Sequence, residues 1–145
     1  MKKIFFIFLI LLSLNCLSQE IVLNCKGLES VKSGRHSPSS HTREFQIYFD
    51  EQKNTFNLGD LASMCEPFKV LSGAKLSEKH KIDKKKIEYS CEISGFLLDQ
   101  SKKVKDNISI NRVTGQFKTY STLDIDDALT LHNGTGSCVK TSNKF

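Results

Sequence analysis

Aromatic and metal-binding signals are sparse in this chain. Its 145 residues include no tryptophan, three tyrosines and four histidines. Without tryptophan there is no obvious aromatic platform for a ligand, although Tyr48, Tyr89 and Tyr120 could stack on one. No two cysteines have the C-x-x-C spacing of a zinc site, and His36 and His41 have no third ligand at a useful spacing. We therefore expect neither a metal nor a cofactor.

Long apolar runs are also missing, apart from one at the start of the chain. Two lysines precede an apolar run over residues 4–12, and small and polar residues follow it. This order is typical of a secretory signal peptide, and the run is shorter than the ~20 residues that a spanning helix needs. We predict a signal peptide over residues 1–18 and a periplasmic or secreted mature protein without a membrane span. Lipid anchoring at Cys16 is the alternative that this segment leaves open.

The mature chain would be short and weakly charged. Removing residues 1–18 leaves 127 residues and lowers the formal net charge from +5 to +3, because two lysines are lost. A chain of this length forms one domain, so we predict a single domain over residues 19–145. Proteins that bind nucleic acids usually carry a larger positive charge than this, so we expect no nucleic-acid partner.

Alternation of apolar and polar residues is the strongest periodic signal, and its two-residue period indicates half-buried strands. It appears in EFQIYFD (44–50), KIEYSCEIS (86–94) and NISINRVTGQFKTY (107–120). The last segment contains a turn over 112–115, which we expect to be closed by a glycine in the left-handed conformation. Further strands are predicted over 20–25, 55–59, 68–76 and 128–140.

The remaining segments suggest little helix. The polar stretch 30–43 is too long for a tight turn, and we predict a loop there. Only GDLASMC (59–65) and LDIDDAL (123–129) have room for a helical turn or two. Short strands separated by turns predict an all-β fold, a single small antiparallel β-barrel or sandwich of about 7–8 strands.

Four cysteines remain beyond the predicted signal peptide, which is an even set in an oxidising compartment. Three pairings into two disulfides are possible. We favour Cys25 with Cys138 and Cys65 with Cys91, because a meander that closes into a barrel brings its first and last strands together. In the chain-entropy model such loops contribute at most about 5 and 3.5 kcal/mol.

The segment HNGTGSC (132–138) holds the residues that most resemble catalytic ones. It lacks the third glycine of a dinucleotide loop and the flanking glycines of a nucleophile elbow. His132, Ser137 and the acidic residues of 123–129 are near in sequence, but a triad is defined by geometry. We therefore predict no catalytic residue and interpret the segment as a structural closure. Asn133 and Gly134 would form a turn or bulge, and Gly136 would let a neighbouring strand approach closely.

Lysine is the most conspicuous charged residue. Six lysines lie within 75–86, and a second run follows over 102–105. The simpler interpretation is a charged strand edge and its turn, which discourages pairing between sheet edges. The alternative is a basic patch that binds an anionic surface, such as lipopolysaccharide or an acidic glycan. The candidate binding residues in that patch are Lys84, Lys85 and Lys86.

Three short motifs, LNCKG (23–27), INRVTG (110–115) and GTGSC (134–138), resemble a group of small exported bacterial proteins of unknown function. In that group an L-x-C-x-G strand and a G-x-C strand bracket an I-x-R-x-T-G hairpin. The resemblance implies a β fold and a disulfide between Cys25 and Cys138, and it implies no activity.

A weaker resemblance is to the periplasmic inhibitors of c-type lysozyme, small β-barrels with an S-G-A motif on a strand. SGAKLS (72–77) is similar to that motif, which would make Ser72 and Lys75 candidate contacts. Leu76 stands where that family usually has an aromatic residue. We thus expect an exported, non-enzymatic β domain that binds a protein or an anionic envelope glycan, or alternatively an inhibitor of a c-type lysozyme.

Overall fold

The computed structural model describes residues 20–34, 36–59, 63–97, 100–126 and 128–141. The predicted signal peptide and Cys16 lie outside these residues. The described chain forms eight strands: β1 Ile21–Ser33, β2 His36–Asp50, β3 Thr55–Leu58, β4 Ser72–Ile82, β5 Lys86–Leu97, β6 Gln100–Asn111, β7 Gln116–Ile125 and β8 Ala128–Thr141. A short 3-10 helix, Glu66–Phe68, lies between β3 and β4.

All eight strands belong to one antiparallel sheet in the order β3-β2-β1-β8-β7-β6-β5-β4. The sheet curls into a nearly closed barrel, which confirms the predicted all-β barrel of seven to eight strands. At the seam between the two edge strands, the rings of Phe56 and His80 stack with centroids 5.8 Å apart. His80 Nε2 also lies 3.3 Å from the Asn54 carbonyl oxygen. We call the barrel end with the β2–β3 and β4–β5 turns the lower end, and the opposite end the upper end.

The predicted loop over 30–43 is wrong. β1 continues to Ser33 and β2 begins at His36, so that only a tight turn separates them and these two residues pair. The side chains of residues 37–42 are exposed, because this hairpin extends past the packed part of the barrel. Backbone hydrogen bonds hold such strands together whatever their side chains are. The sequence there therefore lacks the alternation of apolar and polar residues that would predict a strand.

Three other local predictions need correction. The described residues of 123–129 are not helical, because β7 runs to Ile125, Asp126 is in a turn with φ 48°, and β8 begins at Ala128. No turn or bulge occurs at Asn133 and Gly134, which lie inside the continuous strand β8. The strand predicted over 68–76 begins at Ser72. The turn over 112–115 is confirmed, since Gly115 has φ 70°.

The core lies inside the barrel and is formed by alternate residues of each strand. Its fully buried members include Ile47, Ile93, Val104 and Ile110. At the lower end, Arg112 of the INRVTG hairpin contacts the Glu51 carboxylate and the Asp83 carbonyl oxygen. Its guanidinium also lies 5.2 Å from the Phe49 ring centroid. This arginine thus joins three turns and covers the lower end of the core.

Both predicted disulfides are present. Cys25 and Cys138 are direct partners on β1 and β8, and their bond joins residues 113 positions apart. The bond between Cys65 and Cys91 spans 26 positions and fastens the segment 63–71 to β5. Loops of these lengths correspond to about 5 and 3.5 kcal/mol in the chain-entropy model.

A buried carboxylate also holds the segment 63–71. Asp106 of β6 is 0 % exposed. It accepts a hydrogen bond from the Met64 backbone N–H at 2.8 Å and another from the Ser121 hydroxyl at 2.6 Å. The cost of burying this polar group is thereby offset, and the buried start of the segment, Ser63 to Cys65, is held against β6.

Candidate functional site

Lysines are concentrated on one outer surface of the barrel, which we call the basic face. It comprises the outward-facing side chains of β4, β5 and β6, the three strands at one side of the sheet. Its charged members are six lysines and two glutamates, which give a net charge of +4: Lys75, Lys79, Lys81, Lys86, Lys103, Lys105, Glu88 and Glu92. This local charge exceeds the +3 of the whole predicted mature chain, so the remainder of the protein is close to neutral.

Small polar side chains lie between these lysines. Lys79 pairs with Ser90, and Ser90 pairs with Asn107, so the three residues form a row across the strands. Two shallow depressions of about 360 and 320 Å³ follow this row, and Lys79 lines both. Serine hydroxyls and asparagine amides can donate hydrogen bonds to an anion that the lysines attract. The face therefore combines long-range attraction with short-range donors.

The two glutamates of β5 neutralise only some of the lysines. Glu92 accepts from Lys103 at 3.1 Å and from Lys105 at 3.3 Å, and these hydrogen bonds hold its pKa below the usual value. Glu88 pairs with Lys86 at 2.5 Å. In contrast, Lys75 and Lys79 have no acidic partner among the described residues.

The five candidate binding residues do not form one site. Ser72 and Lys75 lie at the upper end of β4, beside an irregularity in its pairing with β5. Lys84 and Lys85 lie in the β4–β5 turn at the lower end, and Lys86 begins β5. The nine steps from Lys75 to Lys84 correspond to ~30 Å of extended strand.

Lys75 and Lys86 thus share the basic face with lysines that were not among the candidates. Lys79 and Lys81 on β4, like Lys103 and Lys105 on β6, are two positions apart, so each pair lies on one side of its strand. The two-residue spacing could therefore have identified these lysines as members of one strand face. Neither lysine run alone could predict that β5 lies between the two pairs.

Two polar residues of HNGTGSC, His132 and Ser137, face opposite sides of β8. His132 pairs with inward-facing Ser121 of β7, whereas Ser137 is exposed and pairs with outward-facing Lys26. They therefore cannot act on one substrate together. Gly136 does allow a close approach, as predicted, because a Cβ there would lie 2.5 Å from the Cα of Gly27.

His132 belongs instead to a buried polar cluster in the upper half of the barrel. Glu29 accepts from Arg43 at 2.7 Å and contacts His41 Nε2 at 3.0 Å. His132 Nδ1 lies 4.0 Å from the same carboxylate. Burial lowers the pKa of His132, and the charge of Glu29 opposes this shift. The cluster was not predicted, because Glu29 and Arg43 meet only through the register of a hairpin that the sequence suggested was a loop.

Metal ligation finds no support in this cluster. Within the ranges that the structure describes, no three histidine, cysteine, aspartate or glutamate side chains are grouped so as to hold a metal ion. His41 contacts Glu29, while the side chain of His36 lies outside the described part. Asp126 lies at the β7–β8 turn, where its Oδ1 accepts a hydrogen bond from the Ser101 backbone N–H at 3.1 Å.

Comparisons with protein-family models, curated proteins and solved structures find no match to this chain. The described residues also include no helix with the length and apolar character needed to cross a membrane. The surfaces of the barrel are therefore the features that indicate a function.

Proposed function

We propose that the protein is an exported binding protein without catalytic machinery, and that it holds an anionic polymer, such as an acidic envelope glycan, on its basic face. The observation that carries this proposal is the net charge of +4 on the outer surface of three adjacent strands. Export is supported by the two disulfides, which persist in oxidising compartments.

A polymer fits this surface better than a small anion does. The lysines run along β4 from Lys75 to Lys81 and continue on the first half of β6 at Lys103 and Lys105. The depressions between them are shallow and open. Each exposed ammonium group contributes little by itself, but several contacts along one chain add together. Because the attraction is electrostatic and exposed, it should weaken as salt screens it.

Binding to immobilised heparin, used as a model polyanion, tests the proposal. We expect retention at low ionic strength and elution as salt rises. The double variant Lys79→Gln/Lys105→Gln should elute at clearly lower salt than the unmodified protein. Lys32→Gln/Lys140→Gln removes the same charge from exposed positions on β1 and β8, and it should elute close to the unmodified protein.

Two results would contradict the proposal. One is the absence of retention at low salt. The other is an equal loss of retention in the two double variants, which would show that heparin responds to net charge and not to the basic face.

Inhibition of a c-type lysozyme is the second candidate function. It is favoured by the irregularity between Ser72 and Lys75, where Gly73 has φ 64° and the surrounding side chains are exposed. An exposed bulge of this kind can enter the cleft of another protein. Against it, a lysozyme is cationic and would meet the lysines of the same strand.

A cell-wall lysis assay with a c-type lysozyme separates the two candidates. Inhibition that is lost in Ser72→Ala and kept in Lys79→Gln/Lys105→Gln would favour the inhibitor. Undiminished lysis at excess protein would remove that candidate and leave the polyanion proposal unaffected.

A further inference from the structure

A second groove lies on the other side of the barrel, across β8, β1, β2 and β3. Its volume is about 890 Å³, compared with about 360 Å³ for the larger depression of the basic face. We call it the amide groove, after the three side-chain amides in its lining. Those amides belong to Asn24, Gln46 and Asn57, and Tyr48 lies beside them in the lining.

Hydrogen bonds fix the orientation of Asn24, Gln46 and Tyr48 before any ligand arrives. Tyr48 donates from its hydroxyl to Gln46 Oε1 at 2.5 Å, and Gln46 Nε2 donates to Asn24 Oδ1 at 2.8 Å. Because the oxygen of Asn24 is engaged, its NH₂ group remains to donate, and the Tyr48 oxygen remains to accept. An array that is already oriented loses less conformational entropy on binding.

Among the described residues that line the groove, the ionic ones are Lys26 and Glu44, whose Nζ and Oε1 atoms are 2.6 Å apart. The two charges compensate each other, so an ionic ligand would gain little from entering. The chemistry of the lining suits a ligand that offers many neutral donors and acceptors.

Gly59 brings the chain after β3 close to Tyr48. Its backbone N–H donates to the Gln46 carbonyl oxygen at 2.9 Å. A Cβ at this position would lie 3.1 Å from that oxygen and 3.3 Å from the Tyr48 ring. The Tyr48 ring is therefore confined by Gly59, and its hydroxyl is fixed by the hydrogen bond to Gln46.

We propose that the amide groove binds an uncharged oligosaccharide. A sugar chain presents rows of hydroxyls that both donate and accept, as the amides do, and an apolar ring face that can pack on Tyr48. The ligand would carry no charge, since the two described charges of the lining, Lys26 and Glu44, compensate each other. This site is separate from the basic face and does not depend on the function proposed for it.

Titration of the ¹⁵N-labelled protein with the tetrasaccharides of N-acetylglucosamine and of glucose tests the inference. We expect at least one of the two to shift the backbone amides around Asn24, Gln46 and Tyr48 at millimolar concentration or below. Gln46→Ala and Tyr48→Phe should each raise the Kd about tenfold, because each breaks the chain of oriented hydrogen bonds. Tyr120→Phe, at an exposed tyrosine outside the groove, is the matched control and should leave the Kd unchanged.

The double variant Lys79→Gln/Lys105→Gln should also bind the sugar normally, so failure on the basic face and failure here are distinguishable. Spectra with the dispersion of the unmodified protein would show that each variant is folded. The proposal is wrong if neither sugar shifts these amides, if the affinity is unchanged in both groove variants, or if only an uncharged peptide binds there.

Discussion

Glu29 and Arg43 face each other inside the upper half of the barrel, with 2.7 Å between Oε1 and Nη1. The two residues are only 4 % and 8 % exposed. A pair this deeply buried is stable only while both charges are present, because removing one of them leaves the other in a poorly solvating environment. Its consequences for stability can be measured directly.

Glu29→Gln keeps the size of the side chain and removes its charge. We expect the free energy of unfolding to fall by about 3 kcal/mol, because the carboxylate that faces the buried guanidinium is lost. Urea denaturation measures this change. Glu44→Gln, which breaks the exposed pair with Lys26 on the same two strands, should cost less than about 1 kcal/mol. Equal costs for the two variants would contradict the assigned role of Glu29.

Asp106→Asn should loosen the segment 63–71. One carboxylate oxygen becomes an NH₂ group, so the hydrogen bonds to Met64 and Ser121 cannot both be accepted as before. We expect a loss of about 1–3 kcal/mol in the free energy of unfolding. Hydrogen exchange should show faster exchange at the Met64 amide. If that amide keeps its protection, Asp106 does not hold the segment.

Acid should destabilise the protein through His132. Its pKa is lowered by burial, and the groups around it are Glu29, Arg43, His41 and Asp106. The unfolded chain therefore binds this proton at a higher pH than the folded protein does. Stability is fully present above the unfolded value of about 6.5 and is lost as pH falls toward the lower folded value.

Urea denaturation of His132→Gln at several pH values isolates this contribution. Between pH of about 7.5 and 5, the variant should lose less stability than the unmodified protein. His80→Gln, at an exposed histidine of β4, is the matched control and should keep the slope of the unmodified protein. A slope that is the same in all three proteins would contradict the role of His132.

Gly136→Ala should be one of the most damaging small substitutions. The added Cβ would lie 2.5 Å from the Cα of Gly27 and 2.6 Å from the Phe117 ring, so β1 and β8 could not keep their spacing. We expect a loss of more than about 2 kcal/mol, as overpacking against backbone produces. Gly34→Ala meets nothing within 4 Å and should change the midpoint of thermal unfolding little. Comparable midpoints for the two variants would show that the strands are less closely packed than described.

Much of the fold could be predicted from the sequence where side chains alternate. The strands around Ile47, Tyr89 and Phe117 were recognisable because one face of each is buried, and burial selects apolar residues at every second position. The glycine of the β6–β7 turn was predictable for a similar local reason, since a left-handed residue favours glycine. Both disulfides could be predicted because the number of cysteines is even and because a meander that closes into a barrel brings its first and last strands together.

The long β1–β2 hairpin could not be predicted in this way. Its upper part carries polar side chains on both faces, and the inward positions Glu29 and Arg43 satisfy each other and not an apolar core. Glu29 can face inward only because Arg43, 14 residues further along the chain, pairs with it. The local pattern of apolar and polar residues therefore does not indicate a strand here. The buried polar cluster could not be predicted for the same reason, since it depends on this pairing.

The candidate site likewise combines features that the sequence could predict with features that it could not. The strands with alternating side chains, the even set of cysteines and the number of lysines were all evident from the sequence, because they depend on local alternation, parity and composition. The fold of the whole barrel was needed to show that six lysines share one outer face, that His132 and Ser137 lie on opposite sides of β8, and that three amides from separate strands line one groove. Strand register explains this difference: it sets which side chains from distant segments are neighbours, and it is fixed by the packing of the whole barrel.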